Sequence, residues 1–394
     1  MNRLLGIACY NVDDSVLRFA AQLSERYPIN VRVFPLTQGG AGRRQRYEVA
    51  VDETSAPARP LMHAHGVNTT SREILIVQPF LMRSLHIVRS CQCVLLWGLF
   101  GTPGFTLAVL SRLFGRRIVA SVVGMSPEAE RNRPFFVIAL KKLLIPLIDV
   151  FVARFRPTSD TLRQLYGVSD ERLFACGSPE LIESMMKSSS VDGTEAAVDL
   201  STEDKATTHF VSVGTLTSIK GFDTAIKAVA ELVHHRRMKV QLTIAGPDGG
   251  GSTGVRKELE LLVQTLHLQS AITFAGELEF DDLKALLHRS AALVHPSRKD
   301  IVPKAVLEAI GAGLPVIVSR QSCVEGVCLT DRFNGLLVEA DDVAGLVEAM
   351  AQVALAPVRE AYSQGARVMA DQLLTATNQV ESAVGALEYL YGTP

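Results

Sequence analysis

Two hydrophobic periods alternate along this chain. In the first half, the short apolar runs "LLGIACY", "INVRVFPL", "EILIVQ", "VLLWG" and "RRIVASVVG" read as buried strands. Between the first two, "DSVLRFAAQLSERY" sets Val16, Phe19, Ala20 and Leu23 on one helical face. Apolar strands separated by helices predict a parallel sheet covered on both faces. From Cys93 to Leu110, "CVLLWGLFGTPGFTLAVL" carries no charge and reaches the lower limit of a membrane span. The "FGTPG" in its middle is a loop signal, so the stretch is read as a strand followed by a helix start.

The pattern breaks at "KSSSVDGTEAAVDLSTEDKATT", which is rich in Ser, Thr, Ala and acids and has no apolar period. It reads as a linker. A second alternation follows. "HFVSVG", "VQLTIAG", "AITFAG", "AALVHPS" and "LPVIVS" are strands. "FDTAIKAVAELVHH", with Ile226, Val229, Ala230 and Val233 on one face, "VRKELELLVQTLHL", "FDDLKALLHRS" and "PKAVLEAIGAG" are helices. The predicted organisation is an N-terminal domain over 1–187, a linker over 188–207 and a doubly wound α/β domain over 208–358. A helical tail over 359–394 is expected to return to the first domain. Ligands in such sheets bind outside the carboxyl ends of the strands, so the loops after Val213, Ile244, Phe274 and Val294 are predicted to converge. No short-period repeat is present.

Composition narrows the function classes. A length of 394 residues suits two domains. The 40 basic and 41 acidic residues nearly balance, so global charge gives no support for a nucleic-acid partner. Six cysteines are few, and acidic Asp13 and Asp14 follow soon after Met1, which argues against a signal peptide. A cytoplasmic protein with reduced thiols is expected. Cys91 and Cys93 form a C-x-C pair without a second pair at zinc spacing, so buried thiols are expected and no metal site.

The strand-end loops carry the candidate chemistry. "SVGTLTSIKGF" puts Gly214, Lys220 and Gly221 after a strand. Glycine lets a phosphate approach the backbone, and the lysine offers it a point charge. The plain alternative is an exposed lysine before a helix-start glycine. "AGPDGGGSTG" lacks the order of a phosphate-binding fingerprint and reads as a turn, with Gly246 directly after the strand as its better ligand-side residue. "FAGELE" places Gly276 and Glu277 where backbone groups can read a nucleobase edge, or where a turn simply needs glycine.

"HPSRKDIVPKAVLEAIGAGLPVI" is the most informative stretch. Pro303 fits the first helical position, so Asp300, Ile301 and Val302 precede a helix N-terminus that favours a phosphate. Glu308 lies among Val306, Leu307, Ala309 and Ile310, where an unpaired carboxylate is expensive. Its side chain can lean toward the N-terminal end and accept two hydrogen bonds from a ribose diol.

Residues 210–340 resemble the C-terminal, nucleotide-sugar-binding domain of family 4 glycosyltransferases, retaining enzymes of the GT-B fold. The resemblance rests on five segments in order: "VGTLTSIKGF", "LTIAG", "ITFAGEL", "PSRKDIVPKAVLEAIGAGLPVI" and "DRFNGLLVEADD". "DVFVARFRPTSDTLRQLYGVSDERLFACG" is similar to the end of the family's N-terminal domain. The resemblance implies two doubly wound domains facing a central cleft. It implies that Glu308 holds the ribose hydroxyls, Asp300 contacts the transferred sugar and Lys220 binds the diphosphate. Gly214, Thr215 and Gly221 would shape that loop. The backbone of Ile301, Val302, Pro303 and Lys304 would complete the phosphate site, and Gly246 and Glu277 would line the nucleotide pocket.

Several positions depart from the family pattern. Asp300 stands where the family usually has Glu, and Thr215 where it usually has a phosphate-binding Arg. "ASVVGMSP" has Val123 and Gly124 where a His-Gly or His-Asp pair often faces the cleft, and Gly39–Gly40 follows a later strand than the usual Gly-Gly loop. The implied reaction moves a sugar from a nucleoside diphosphate sugar to a hydroxyl acceptor, saccharide or lipid-linked, in polysaccharide or glycolipid synthesis. No cofactor or metal is implied, the nucleotide sugar being substrate. A catalytically degenerate sugar-nucleotide binder acting as a partner subunit, and an epimerase of the same fold, are the alternatives.

Across 131–156, "RNRPFFVIALKKLLIPLIDVFVARFR" combines Phe135, Phe136, Leu143, Leu144 and Leu147 with Arg131, Arg133, Lys141 and Lys142. Two readings are open. One is a core helix with a charged edge. The other is a basic apolar helix on an anionic membrane surface, which would bring the protein to the inner face of the membrane.

Overall fold

In the computed structural model, residues 4–9, 14–27, 29–35, 50–51, 73–97, 102–131, 133–187, 207–249 and 254–392 are described. The chain divides into two compact units, 1–177 with 377–394, and 178–376. Gly39–Gly40 and most of the predicted linker lie outside the described residues.

The first unit holds strands β1 (Leu4–Cys9), β2 (Asn30–Pro35), β3 (Ala50–Val51), β4 (Cys93–Trp97), β5 (Arg117–Val122), β6 (Val150–Arg154) and β7 (Leu173–Cys176). They form a parallel sheet in the order β3-β2-β1-β4-β5-β6-β7. Successive side chains of a strand point to opposite faces. Accordingly Val94 and Leu96 join one buried core with Ile118, Ala120 and Phe151, while Cys93 and Leu95 join another with Val119, Val150 and Val152. Both faces are covered, which is why these runs are apolar throughout rather than alternating.

The uncharged stretch from Cys93 divides as expected into β4 and a helix, Thr102–Leu113, which begins inside "FGTPG". Among the described residues no helix is long and apolar enough to cross a membrane. One expected strand is corrected: the run 73–78 opens the helix Glu73–Ser90. A short apolar run does not by itself distinguish strand from helix. Its continuation buries Ser84, Ile87 and Val88 at helical spacing.

The second unit holds β8 (Thr208–Val213), β9 (Val240–Ala245), β10 (Ile272–Gly276), β11 (Ala292–His295), β12 (Val316–Ser319) and β13 (Gly335–Val338). Their order, β10-β9-β8-β11-β12-β13, reverses direction between β8 and β11. That pair is therefore the switch point where a doubly wound sheet opens a crevice at its carboxyl edge. One core under this sheet joins Phe210, Leu242, Ile244, Val294 and Ile317 to Phe222, Ile226 and Val229 of the helix Phe222–Ala230.

The unit boundaries differ from the predicted 187 and 359. The helix Pro179–Met186 belongs to the second unit. A Cβ added to Gly311 would stand 2.8 Å from Met185 Cβ, so this helix lies directly on the helix Lys304–Gly311. Buried Lys284 also donates to the Ser184 carbonyl at 2.9 Å. At the other end, Ala356–Leu374 stays with the second unit, and the returning helix is Gln379–Tyr391. It buries Val380, Ala383, Ala386 and Leu387 against one face of the first sheet.

The helix Phe135–Leu144 inverts the expected arrangement of a charged edge and an apolar interior. Lys141 is buried and paired with buried Glu130 at 2.5 Å, while Phe135 and Phe136 are 84% and 71% exposed. Glu130 also accepts from Tyr166 Oη at 2.6 Å and Arg133 Nε at 2.7 Å. Burial would raise the Glu130 carboxyl, but these donors outweigh it and lower it. This polar cluster turns one face inward and leaves Leu140 and Leu143 outside with the two phenylalanines.

Candidate active site

Loops following β8 and β11 meet at the switch point. After β8 the chain runs through Gly214 and exposed Thr215 to a short turn at Ser218–Lys220, then Gly221 starts the next helix. Gly221 has φ 69°, and a Cβ there would lie 2.1 Å from the Pro296 carbonyl oxygen. The glycine thus lets the two loops touch. Gly246 does the same one strand over, since a Cβ would lie 2.1 Å from the Gly214 carbonyl oxygen. Its role is close backbone approach, a reason that stands without any ligand.

Lys220 and Asp300 are brought together across the crevice. Lys220 Nζ donates to Asp300 Oδ2 at 2.5 Å, with both side chains about four-fifths buried. Sequence reasoning missed a third member, His295. This last residue of β11 is fully enclosed and its Nε2 lies 3.1 Å from the same Oδ2. Burial pushes the His295 imidazole down, against the pull of Asp300. A neutral ring with its proton on Nε2 donates to the carboxylate. Burial would raise the Asp300 carboxyl, yet the hydrogen bonds from His295 and Lys220, with the Lys220 charge, outweigh it and hold it at about 2. The only signal of His295 in the sequence was a polar residue ending an apolar strand five positions before Asp300.

Arg298 fastens these loops from outside. It pairs with Asp223 at 2.8 Å and Asp341 at 2.6 Å, and donates to the Ser218 carbonyl. The Arg298 amide also bonds the Ile219 carbonyl at 2.7 Å.

The helix start needs two corrections. Pro303 occupies the cap position, with extended ψ of 138°, and Lys304 is the first helical residue. Of the expected run 301–304, the Ile301 amide bonds Asp300 Oδ1 at 3.0 Å, the Val302 amide bonds the Ser322 carbonyl at 2.9 Å, and proline has none. Lys304, inside the first helical turn, has the one amide of that run left without such a partner among the described residues. Val302 holds φ at 46°, a strained value for a β-branched residue, in the turn that aims the helix.

Inside this helix Glu308 is 3% exposed. Its Oε1 has no hydrogen-bond partner, although Lys304 Nζ forms an ion pair with it at 2.9 Å without hydrogen-bond alignment. A buried carboxylate oxygen left in that state is an acceptor facing a missing donor. Glu277 lies apart from these groups, exposed beyond β10, which is separated from β8 by β9. Among the described residues, no three His, Cys, Asp or Glu side chains are grouped as metal ligands.

Residues 197–369 match the family model described as Glycosyl transferases group 1. The chain is 32% identical over 176 residues to a glycogen synthase of Mycobacterium tuberculosis, covering 43% of this chain and 41% of that protein. It is 25% identical over 144 residues to a D-inositol 3-phosphate glycosyltransferase of Corynebacterium jeikeium, covering 36% and 34%. These alignments span about two-fifths or less of the relatives' own lengths. Among solved structures, Anabaena HepE in complex with UDP superposes with a TM-score of 0.72 at 16% identity, over 99% of both chains. A glycosyltransferase from Rickettsia africae gives 0.73 at 12% identity over 100% of both. Such distant likeness identifies the fold, that of the GT-B glycosyltransferases. Most of the second unit, with its switch-point crevice, lies within the stretch that matches the glycosyl transferases group 1 domain.

Proposed function

We propose that this chain is a retaining, metal-independent hexosyltransferase of family 4. It takes its sugar from a UDP- or GDP-sugar and delivers it to a hydroxyl of a saccharide or lipid-linked acceptor in polysaccharide or glycolipid synthesis. The observation that carries this reading is Glu308, a buried carboxylate with an unsatisfied oxygen beside the switch point of the matched domain. A ribose diol supplies the two donors such a group needs.

In this reading the bond from the anomeric carbon to the diphosphate breaks, and a bond to the acceptor oxygen forms on the same face. The acceptor proton passes to the departing phosphate oxygen. Lys220 and the helix start stabilise the charge that develops there, a contribution of the oxyanion-hole type. Asp300, ionised at neutral pH, contacts the sugar hydroxyls, and His295 holds it in place. UDP in the HepE structure supports a nucleoside diphosphate as the donor group.

The apolar face of Phe135–Leu144, flanked by Arg131 and Lys142, fits a cytoplasmic enzyme resting on an anionic membrane surface. A lipid-linked acceptor follows from that position.

Thermal-shift titration with UDP, GDP, ADP and their sugars tests the reading. A selective rise in Tm with one diphosphate, absent in Glu308→Ala, is expected, together with release of that diphosphate when acceptor is supplied. No shift with any nucleotide in a folded sample overturns it. Binding without turnover would instead identify a degenerate partner subunit, and conversion of the sugar nucleotide without acceptor an epimerase.

A further inference from the structure

The crevice has an uneven supply of positive charge. The Lys220 ammonium is neutralised by Asp300 at 2.5 Å, and the Arg298 guanidinium by Asp223 and Asp341. At the helix start, the amides of Ile301 and Val302 are occupied and Pro303 has none. A ligand phosphate approaching this helix therefore finds no donor in the three residues before it and meets the first-turn amides, beginning with that of Lys304. Thr215, on the loop after β8, adds no charge.

Lys304 differs from the other cations. Its side chain is 72% exposed, and its ammonium stands over Glu308 Oε1, a buried oxygen that has no hydrogen bond. A neutral diol can give that oxygen the hydrogen bonds that the ammonium does not make, whereas Lys220 and Arg298 are hydrogen-bonded to their acids. The ammonium is thus the cation most readily released when a ribose arrives. It sits on the first residue of the helix, next to the first-turn amides.

We propose that the Lys304 side chain is a donor-binding group: it covers Glu308 when the site is empty and moves to the diphosphate when the ribose hydroxyls engage Glu308. This assignment rests on the nucleotide-sugar reading of the site and adds a residue to it. Lys304 then bridges two anions, the Glu308 carboxylate and the phosphate, that would otherwise repel across the ribose. The lysine also acts as a filter. A nucleoside without phosphates must displace it and gains nothing in return.

The two roles predict opposite effects of one substitution. Binding of UDP, UMP and uridine is measured by calorimetry for the wild type, Lys304→Met and Lys304→Arg, with the guanosine series used if GDP gives the larger thermal shift. Lys304→Met is expected to weaken the diphosphate at least about tenfold, the size of one hydrogen bond to a charged group. It should leave the nucleoside unchanged or tighter. Lys304→Arg should keep diphosphate binding, and the gap between wild type and Lys304→Met should narrow as salt is raised. Equal losses for diphosphate and nucleoside, or no loss for either, overturn the assignment. Wild-type protein that binds no nucleotide at all overturns the nucleotide-sugar reading beneath it. Lys304→Met leaves Glu308 buried without its countercharge, so this ligand-free variant should melt lower than wild type, whereas Lys304→Arg should match it; binding is therefore compared at a temperature where all three proteins are folded.

Discussion

Lys220 Nζ and Asp300 Oδ2 meet at 2.5 Å across the seam between β8 and β11, eighty residues apart in sequence. The pair joins a group assigned to the donor's diphosphate with a group assigned to its sugar. Such a pair holds two loops in register while keeping each charge close to where it acts. Lys220→Met should therefore lower turnover by about a hundredfold or more, the usual cost of losing one preorganised charge contact to a transition state. The fall should appear mainly in kcat, because phosphate charge grows as the bond breaks. Steady-state kinetics on the identified donor decide this, and a pure rise in KM would contradict it.

Asp300 also makes a pH prediction. Its carboxyl is held at about 2, below an ordinary aspartate near 3.8. A depressed carboxylate contributes stability that is present above the unfolded value and is lost as pH falls through the folded one. The window is therefore from about pH 4 down to about 2. Comparing wild type with Asp300→Asn by chemical denaturation should show a difference that is constant above this window and shrinks within it, reaching at most about 2 kcal/mol. Other acids titrate in the same range, so the comparison between the two proteins carries the result.

Glu308 should show a conflict between stability and function. A buried carboxylate oxygen without a hydrogen bond is unfavourable in the free protein. Glu308→Gln removes the charge at nearly equal volume, so the ligand-free protein should gain about 1 kcal/mol, or roughly 2–4 °C in Tm. The same change should abolish nucleotide-induced stabilisation. A variant that is destabilised and still responds to nucleotide would show that Glu308 is only structural.

The doubly wound architecture and the switch-point loops were legible because their periodicity is dictated by burial on both sheet faces. Asp300, Lys220 and Glu308 were legible because charged groups at strand ends or among apolar neighbours need a reason. His295 was not, since a histidine ending an apolar strand looks like any buried residue until its neighbour five positions on folds back against it. The Lys304–Glu308 pair has ordinary i,i+4 spacing, but only burial of the acid and exposure of the base separate it from a surface pair. The amides of Ile301 and Val302 were misjudged because their partners, a side chain and a distant carbonyl, depend on tertiary contacts. The run 73–78 was misjudged because four consecutive apolar residues, Ile74 to Val77, fit either period.

Gly221 and Gly246 are predicted to fail structurally before they fail functionally. Each has positive φ and would press a Cβ to 2.1 Å from a carbonyl oxygen. Gly221→Ala and Gly246→Ala should each destabilise the second unit by about 3 kcal/mol or more, within the range of strain and overpacking at fixed backbone. Proteolysis of the variants should cleave within 178–376 first. Near-wild-type stability with lost nucleotide binding would reassign Gly246 to direct ligand contact.

Phe135 and Phe136 separate membrane attachment from folding. Both are mostly exposed, while the neighbouring Lys141–Glu130 pair anchors their helix from the other side. Replacing both with serine should change stability by no more than about 0.5 kcal/mol, as expected for exposed positions. If the helix lies in a bilayer interface, each ring contributes about 1.5–3 kcal/mol of apolar burial there, so the double variant should lose at least about a hundredfold in vesicle affinity. Sedimentation with vesicles of anionic and of zwitterionic lipid tests both components. Binding should favour the anionic vesicles, weaken with salt through Arg131 and Lys142, and vanish in the double serine variant. Lys141→Met should act differently: it leaves Glu130 buried without its principal countercharge, lowers Tm and loosens the helix without removing its apolar face. Equal vesicle binding by wild type and the double serine variant would leave those exposed rings to a protein partner.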